Sequence, residues 1–223
     1  MKKILVLGLA SLLSGSASYA PTTVSADVTF ASEYVFRGVQ LADNAVHPSI
    51  EFGYDNFYLG YWGAFPVENM SSKGWINEYD FYAGWGYDLN ENTKIDLGAT
   101  YYYYTDADST FEPYVGISSE MGVVTPSLYV YYDVDLKNIT VQGSLGGSIP
   151  LESIKSSLDL SATIGYVNVD EGDSYAWYGA SAVVPFNLNE HATLNIGLHY
   201  YYNDLSDYDG DKFYFTVGAT VGF

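Results

Sequence analysis

Alternation of apolar and polar residues, in segments of about ten, is the feature that most constrains how this chain can fold. The last segment shows it best, because one face is apolar and the other is small or polar. The apolar face holds Phe213, Phe215, Val217, Ala219, Val221 and Phe223, and the other holds Lys212, Tyr214, Thr216, Gly218, Thr220 and Gly222. Since successive side chains of a β-strand point to opposite faces, the pattern predicts a strand with one apolar side and one wet side.

The same rhythm recurs along the chain and gives an even number of strands, twelve. They are predicted near 27–37, 46–54, 57–65, 75–87, 93–104, 110–118, 124–134, 138–149, 157–167, 175–186, 192–202 and 212–223. Tight turns such as Asp55-Asn56 and Leu89–Asn92 alternate with longer acidic connections such as 204–211. Short turns at one end and polar loops at the other are typical of an outer-membrane barrel.

A soluble β-sandwich has a similar strand count, so the composition of the two faces must decide between the folds. A sandwich would bury its apolar faces against each other, whereas here the face opposite the apolar one collects carboxylates, tyrosines and glycines. A polar inside and an apolar outside require a closed barrel, because lipid leaves no backbone group unpaired. The sequence therefore predicts an all-β fold, a closed antiparallel transmembrane β-barrel of twelve strands, over residues 27–223.

Residues 1–26 read as a secretory signal peptide. Two lysines precede an apolar run that is too short to span a membrane, and small residues follow it. Cleavage after Ala20 would leave Pro21 at the new N-terminus, so cleavage after Ala26 is favoured. The chain has no cysteine, which excludes disulfides and a lipid-modified cysteine.

Charge limits the possible partners. The chain has 27 Asp and Glu against 8 Lys and Arg, a formal net charge of −19. Nucleic acid is excluded, since phosphate binding needs basic surfaces, and anionic solutes are disfavoured. The 24 tyrosines fit interfacial girdles or an aromatic-lined cavity. We expect no cofactor, and we expect outer-membrane lipid, lipopolysaccharide, small solutes or cations as partners.

The predicted inner face supplies candidates for lining or narrowing a lumen. They are Glu33, Arg37, Glu51, Trp62, Glu78, Asp80, Tyr82, Asp96 and Glu112. Arg37, the only arginine, is expected to point inward from the first strand with Glu51 as its best partner and Glu78 or Asp80 as alternatives. It would either fix the geometry of a mouth or simply neutralise wall carboxylates.

The opening of the predicted barrel resembles the TorF-type family of outer-membrane porins. The resemblance rests on Ser32–Gln40 (S-E-Y-V-F-R-G-V-Q), Pro48–Glu51, Gly60–Gly63 and Glu78–Gly84. It implies an exported Gram-negative barrel with a role in transport. Separately, Phe223 in an aromatic strand is similar to the terminal signature that the barrel assembly machinery reads.

The sequence gives only weak support for a metal site or for a hydrolase. Asp207, Asp209 and Asp211 overlap part of an EF-hand loop, but Leu205 and Thr216 stand where the first and last ligands belong, so at most a loose Ca²⁺ or Mg²⁺ contact remains. His47 and Ser49 have the spacing of outer-membrane phospholipase A, but an inward-facing pair argues against a hydrolase.

We therefore expect no enzyme and no catalytic residue. The expected function is a porin-like, weakly cation-preferring channel for passive diffusion of small solutes, with an open or a filled lumen. A structural or adhesive barrel without conductance is the alternative.

Overall fold

The computed structural model describes residues 22–67, 76–105, 107–206 and 210–223. These residues form twelve barrel strands and a two-stranded hairpin. The barrel strands are β1 (Thr23–Ala31), β4 (Ala45–Tyr54), β5 (Phe57–Pro66), β6 (Glu78–Asp88), β7 (Thr93–Tyr104), β8 (Thr110–Ser119), β9 (Val124–Tyr132), β10 (Ile139–Leu151), β11 (Ser156–Asn168), β12 (Tyr175–Asn187), β13 (Ala192–Asn203) and β14 (Asp211–Gly222). The hairpin strands are β2 (Tyr34–Phe36) and β3 (Val39–Ala42).

The barrel closes through its first and last strands. β1 pairs antiparallel with β4 on one side and with β14 on the other, and the remaining strands pair in chain order. At the seam the Phe223 amide donates to the Val24 carbonyl at 2.9 Å, and the Val24 amide donates back at 3.1 Å. The predicted closed antiparallel barrel of twelve strands is confirmed. No helix in the described ranges is long and apolar enough to cross a membrane.

The connections make the two ends of the barrel different. One end, here the turn end, has the short connections 55–56, 89–92, 120–123, 152–155 and 188–191. The other, here the loop end, has 32–44, 67–77, 105–109, 133–138, 169–174 and 204–210. This alternation follows the predicted one, and a 3-10 turn at Glu152–Ile154 fills one short connection.

The outer surface is apolar and the inner surface is polar, as strand alternation dictates. On β14, Phe213 and Phe215 point outward and are 67 % and 44 % exposed, whereas Tyr214 turns inward and stacks on His199 at 4.7 Å. Large exposed apolar side chains or tyrosines lie on the outside of every other barrel strand as well. An apolar exterior of this kind suits contact with lipid hydrocarbon.

The first strand was predicted to run to residue 37, and that prediction is wrong. β1 ends at Ala31, and residues 34–42 form the separate hairpin. Its turn has positive φ at both central residues, 49° at Arg37 and 80° at Gly38, as a two-residue hairpin turn requires. Tyr34 and Phe36 continue the alternation of β1, so the periodicity of the sequence does not show that the strand ends at Ala31.

Inward aromatic rings lie over glycines on the neighbouring strand. The pairs stand directly opposite in the strand register, and a Cβ on each glycine would come closer than 3.0 Å to the ring. They are Gly60 with Tyr82, Gly84 with Tyr58, Gly98 with Tyr114, Gly116 with Tyr129, Gly165 with Trp177 and Gly179 with Tyr201. Each glycine therefore makes room for a ring to lie along the wall.

Candidate functional site

The β2–β3 hairpin enters the barrel at its loop end and contacts widely separated parts of the wall. Its polar contacts reach Glu78 on β6, Glu112 on β8 and Asn203 on β13. In the closed strand order, β8 and β13 lie five strands apart one way and seven the other, so they are nearly opposite. The hairpin therefore crosses the lumen.

Arg37, at the tip of the hairpin, forms a bidentate ion pair with Glu112. Nη1 donates to Oε2 at 2.8 Å and Nη2 to Oε1 at 2.7 Å, and only 12 % and 4 % of the two side chains are exposed. Tyr102 also donates to Glu112 at 3.1 Å, and the guanidinium lies 4.8 Å from the centre of the Tyr131 ring. This fork geometry fixes the guanidinium in place.

The charge of Arg37 is secure in this setting. Burial acts to lower its pKa, but the hydrogen bonds and charge of Glu112 outweigh burial and hold the pKa above its ordinary value. The predicted pairing of Arg37 with Glu51, Glu78 or Asp80 is wrong, because that prediction placed Arg37 on β1, whereas the hairpin carries it across to β8.

Tyr34 is the second anchor of the hairpin. Its hydroxyl donates to Glu78 at 2.7 Å, and Tyr104 donates to the other carboxylate oxygen at 3.0 Å. The Tyr34 ring packs against His47 and Trp62, which stack on each other with centroids 4.8 Å apart. A buried carboxylate and an aromatic cluster thus hold the base of the hairpin.

The third anchor lies on the opposite side. The Asn203 amide donates to the Gly38 carbonyl at 2.7 Å, and its oxygen accepts from the Leu205 amide at 3.0 Å. A Cβ at position 38 would lie 2.8 Å from the Cβ of Trp177 and 3.0 Å from the Tyr202 carbonyl. Glycine is needed there both for this close approach and for the left-handed φ.

Below the hairpin, carboxylates and tyrosines form a network on β4–β9, whose inward side chains we call the acidic wall. Asp96 accepts from Tyr58 at 2.7 Å and from Tyr129 at 3.2 Å. Tyr58 and Tyr114 hydroxyls lie 2.5 Å apart, and Tyr82 donates to Glu51 at 3.0 Å. Tyr58 and Tyr129 are 8 % and 5 % exposed, so this wall is closely packed.

The inward side chains of β10–β14, which we call the hydroxyl wall, are rich in serine, threonine and glycine beside a few aromatic rings, and they carry less charge than the acidic wall. Ser144 and Thr163 are hydrogen-bonded to each other at 3.1 Å. His199 lies 2.8 Å from Ser181 through Nδ1 and 2.9 Å from Thr216 through Nε2. These side chains are half-buried, so solvent reaches into this side of the barrel.

The structure brings most of the sequence-predicted lumen residues together. Glu78, Asp80 and Glu112 gather under the hairpin, with Trp62 beside them, and Glu51, Tyr82 and Asp96 lie deeper. Glu33 lies in the two-residue link between β1 and the hairpin. Asp80 is 1 % exposed, and its Oδ1 has no hydrogen-bond partner among the residues that the structure describes.

Sequence reasoning missed Tyr34, Gly38, Trp177 and Asn203 as functional candidates. The Arg37–Glu112 and Asn203–Gly38 contacts join residues 75 and 165 positions apart, so spacing carries no signal for them. The Arg37-Gly38 dipeptide was the one local hint, since a glycine after a polar residue favours a hairpin turn.

Metal and hydrolase chemistry gain no support from the geometry. Among the described residues no three His, Asp or Glu side chains are arranged to hold a metal ion. Asp207 and Asp209 lie outside the described residues, and Asp211 accepts a hydrogen bond from Tyr200. His47 donates through Nδ1 to the Gly63 carbonyl at 3.3 Å while its ring is stacked on Trp62, so it is held by contacts other than Ser49.

A family model described as a bacterial protein of unknown function, Gcw_chp, matches residues 15–220. The chain belongs to the Gcw_chp family. The match includes nearly the whole barrel and the hairpin, so this Gcw_chp member carries the site within the family region. A comparison with curated protein sequences gives no match.

Three solved structures show how widely the fold of this Gcw_chp protein is shared. The KdgM porin has 11 % identity and a TM-score of 0.61, covering 90 % of this chain and 99 % of its own. The COG4313 outer membrane channel from Pseudomonas putida F1 has 12 % identity and a TM-score of 0.56, covering 94 % and 99 %. Outer membrane phospholipase A from Escherichia coli has 16 % identity and a TM-score of 0.50, covering 89 % of each. Identities this low show a shared fold, and the activity has to be argued from the residues of the site.

Proposed function

We propose that this protein is an outer-membrane porin for passive diffusion of small solutes, with a weak preference for cations. The observation that carries the proposal is a closed barrel with an apolar outside and a carboxylate-rich inside. Carboxylates in a narrow, low-dielectric enclosure raise the local concentration of cations and exclude anions. The likeness in fold to the KdgM porin and the COG4313 channel supports a channel over an enzyme.

The location follows from the same reasoning. An exported barrel of this type belongs in the Gram-negative outer membrane, in contact with lipid and lipopolysaccharide. The predicted N-terminal signal peptide would direct export, and cleavage after Ala20 rather than Ala26 would keep the first strand intact, because β1 begins at Thr23 and Val24 pairs with Phe223. Phe223, which lies outward and stacks on His191 at 5.1 Å, would serve the barrel assembly machinery. The TorF-type motif at Ser32–Gln40, which builds the hairpin, agrees with this assignment.

The β2–β3 hairpin is the proposed constriction, and Arg37 holds its tip in place. Because the hairpin spans from β6 and β8 to near β13, solutes must pass beside it at the loop end. The ion pair with Glu112 fixes the position of the tip, and it also cancels one wall charge. We propose that this one contact serves both of the roles that the sequence offers as alternatives for Arg37.

The solute class is narrowed by charge. The KdgM porin has also been solved in complex with disordered oligogalacturonate, a polycarboxylate. In this chain Glu51 and Asp96 lie on the inner wall, and the one arginine is already paired with Glu112. Acidic sugars are therefore poor candidates here, whereas cations and neutral solutes are acceptable ones.

Reconstitution in planar bilayers tests the proposal. We expect stepwise conductance, and in a salt gradient a reversal potential whose sign reports cation preference. Anion preference would contradict the role given to the lumen carboxylates. Absence of steps in several salts would instead make the protein a structural or adhesive barrel.

A further inference from the structure

The inner surface of the barrel is unevenly filled. Among the described residues, the buried inward side chains at the middle and turn-end levels lie on β5–β9, for example Tyr58, Thr100, Ser118 and Tyr129. On β10–β14 the buried side chains larger than glycine are confined to the loop-end level. Below the loop-end level, solvent therefore reaches more of the inward side chains on β10–β14 than on β5–β9.

The accessible side has its own chemistry. One row across the strand register places Ser161 opposite Ser181, Ser181 opposite His199 and His199 opposite Tyr214. In the next row Ser144 stands opposite Thr163. These groups are uncharged donors and acceptors on small side chains, next to an aromatic face.

We propose that the solute path is off-centre, runs along this hydroxyl wall and selects small neutral hydroxylated solutes such as simple sugars. This inference rests on the proposed porin function and names its substrate class. Serine and threonine hydroxyls exchange hydrogen bonds with sugar hydroxyls, and the stacked rings of His199 and Tyr214, 4.7 Å apart, offer an apolar face to a sugar ring. The carboxylates across the lumen act through their field, repelling anions without binding the solute.

Tyr201 extends the aromatic face toward the hairpin. It lies 6.2 Å from Tyr214 and 6.0 Å from the buried Trp177. A sugar passing from the mouth would meet Tyr201 and then Tyr214.

Single cysteines test the path, because the chain has none of its own. Ser144→Cys and Ser161→Cys place a thiol on the hydroxyl wall, and Ser118→Cys, 6 % exposed, is the matched control on the acidic wall. A methanethiosulfonate reagent is added to the folded protein in vesicles, with labelling read by mass and block read by single-channel conductance. We expect both hydroxyl-wall thiols to label and to lower conductance by about twofold, and the control to do neither.

Liposome swelling tests which class of solute passes through the channel. Glucose should enter faster than glucuronate of nearly equal size, by about tenfold, and labelled Ser161→Cys should slow glucose entry. Labelling of Ser118→Cys in preference to the other two, or equal labelling of all three, would overturn the off-centre path. Faster entry of glucuronate would overturn the solute class. If the unmodified protein shows no conductance, the porin function fails, while the labelling pattern still reports which wall solvent reaches.

Discussion

The two walls of this barrel are built from the same strand geometry and differ in how their polar groups are used. On the acidic wall Glu78, Asp96 and Glu112 each accept hydrogen bonds from at least two side chains. On the hydroxyl wall the single carboxylate of β11, Asp159, accepts from Ser148 alone among the contacts of the described side chains. The carboxylates are therefore concentrated on the wall where other side chains hydrogen-bond to them. Uncharged polar groups predominate on the wall that solvent reaches.

An acidic lumen therefore need not be an acidic binding site. The hydrogen-bonding capacity of the carboxylates that accept from tyrosine hydroxyls and from Arg37 is largely used inside the wall. If the proposed channel is correct, they act on a solute through their field, whose range at physiological salt is about 8 Å. Hydrogen bonding to the solute is then left to the hydroxyl wall.

The largest effect is expected from Glu112→Gln. It leaves the buried guanidinium of Arg37 without a carboxylate, and breaking a buried pair in this way costs about 3 kcal/mol of unfolding free energy. Conductance should also rise, because the hairpin tip loses the ion pair that holds it to β8. Asp159→Asn on the hydroxyl wall is the control and should cost less than about 1 kcal/mol.

Urea unfolding in lipid vesicles measures both variants. Adding Arg37→Ala to Glu112→Gln should cost much less than the sum of the single changes, since both remove the same pair. Additive losses would mean that the ion pair does not couple the hairpin to β8.

The second effect concerns the packing of rings against glycines. Gly116→Ala places a methyl group against Tyr129 on the acidic wall and should destabilise the barrel by about 1–3 kcal/mol. In Gly143→Ala the nearest atom would lie 3.8 Å away, so stability should be unchanged within about 0.5 kcal/mol. Similar losses for the two would show that Tyr129 is free to move aside.

Much of this fold follows from the sequence. Alternation predicts twelve strands, their faces and the two kinds of connection, because period-two patterning directly reflects which side of a strand meets lipid. It cannot distinguish a barrel strand from the β2–β3 hairpin, since Tyr34 and Phe36 alternate just as β1 does. The pairing of Arg37 with Glu112 depends on which part of the barrel wall the thirteen-residue connection 32–44 reaches. Residue spacing along the chain does not indicate that.

A smaller effect should separate hydrogen bonding on the two walls. Tyr58→Phe removes a hydroxyl that bonds both Asp96 and Tyr114 in a packed site and should cost about 1–2 kcal/mol. Ser144→Ala removes one hydroxyl contact in a site that water can reach, and about 0.5 kcal/mol is expected. Unfolding free energies in the same vesicles make the comparison, and a larger loss for Ser144→Ala would reverse the assignment of packed and accessible walls.

The smallest effect is on ion selectivity. Glu51→Gln removes a half-buried charge from the lumen and should move the reversal potential toward zero by a few millivolts, on the order of a tenth of the full cation-selective value. Asp173→Asn, an exposed change in a loop-end connection, is the control and should have less influence. An equal shift in both would place the selective field outside the barrel.

If this barrel conducts solutes and the β2–β3 hairpin sets the size of its opening, removing the hairpin should widen the channel. Residues 33–43 can be replaced by a short Asn-Gly turn, because β1 and β4 are already paired up to Ala31 and Ala45. The single-channel conductance of this variant is measured beside that of the full chain in planar bilayers. We expect stepwise conductance from both, several-fold larger without the hairpin. Equal conductance, or none from either protein, would contradict the proposed channel and its constriction.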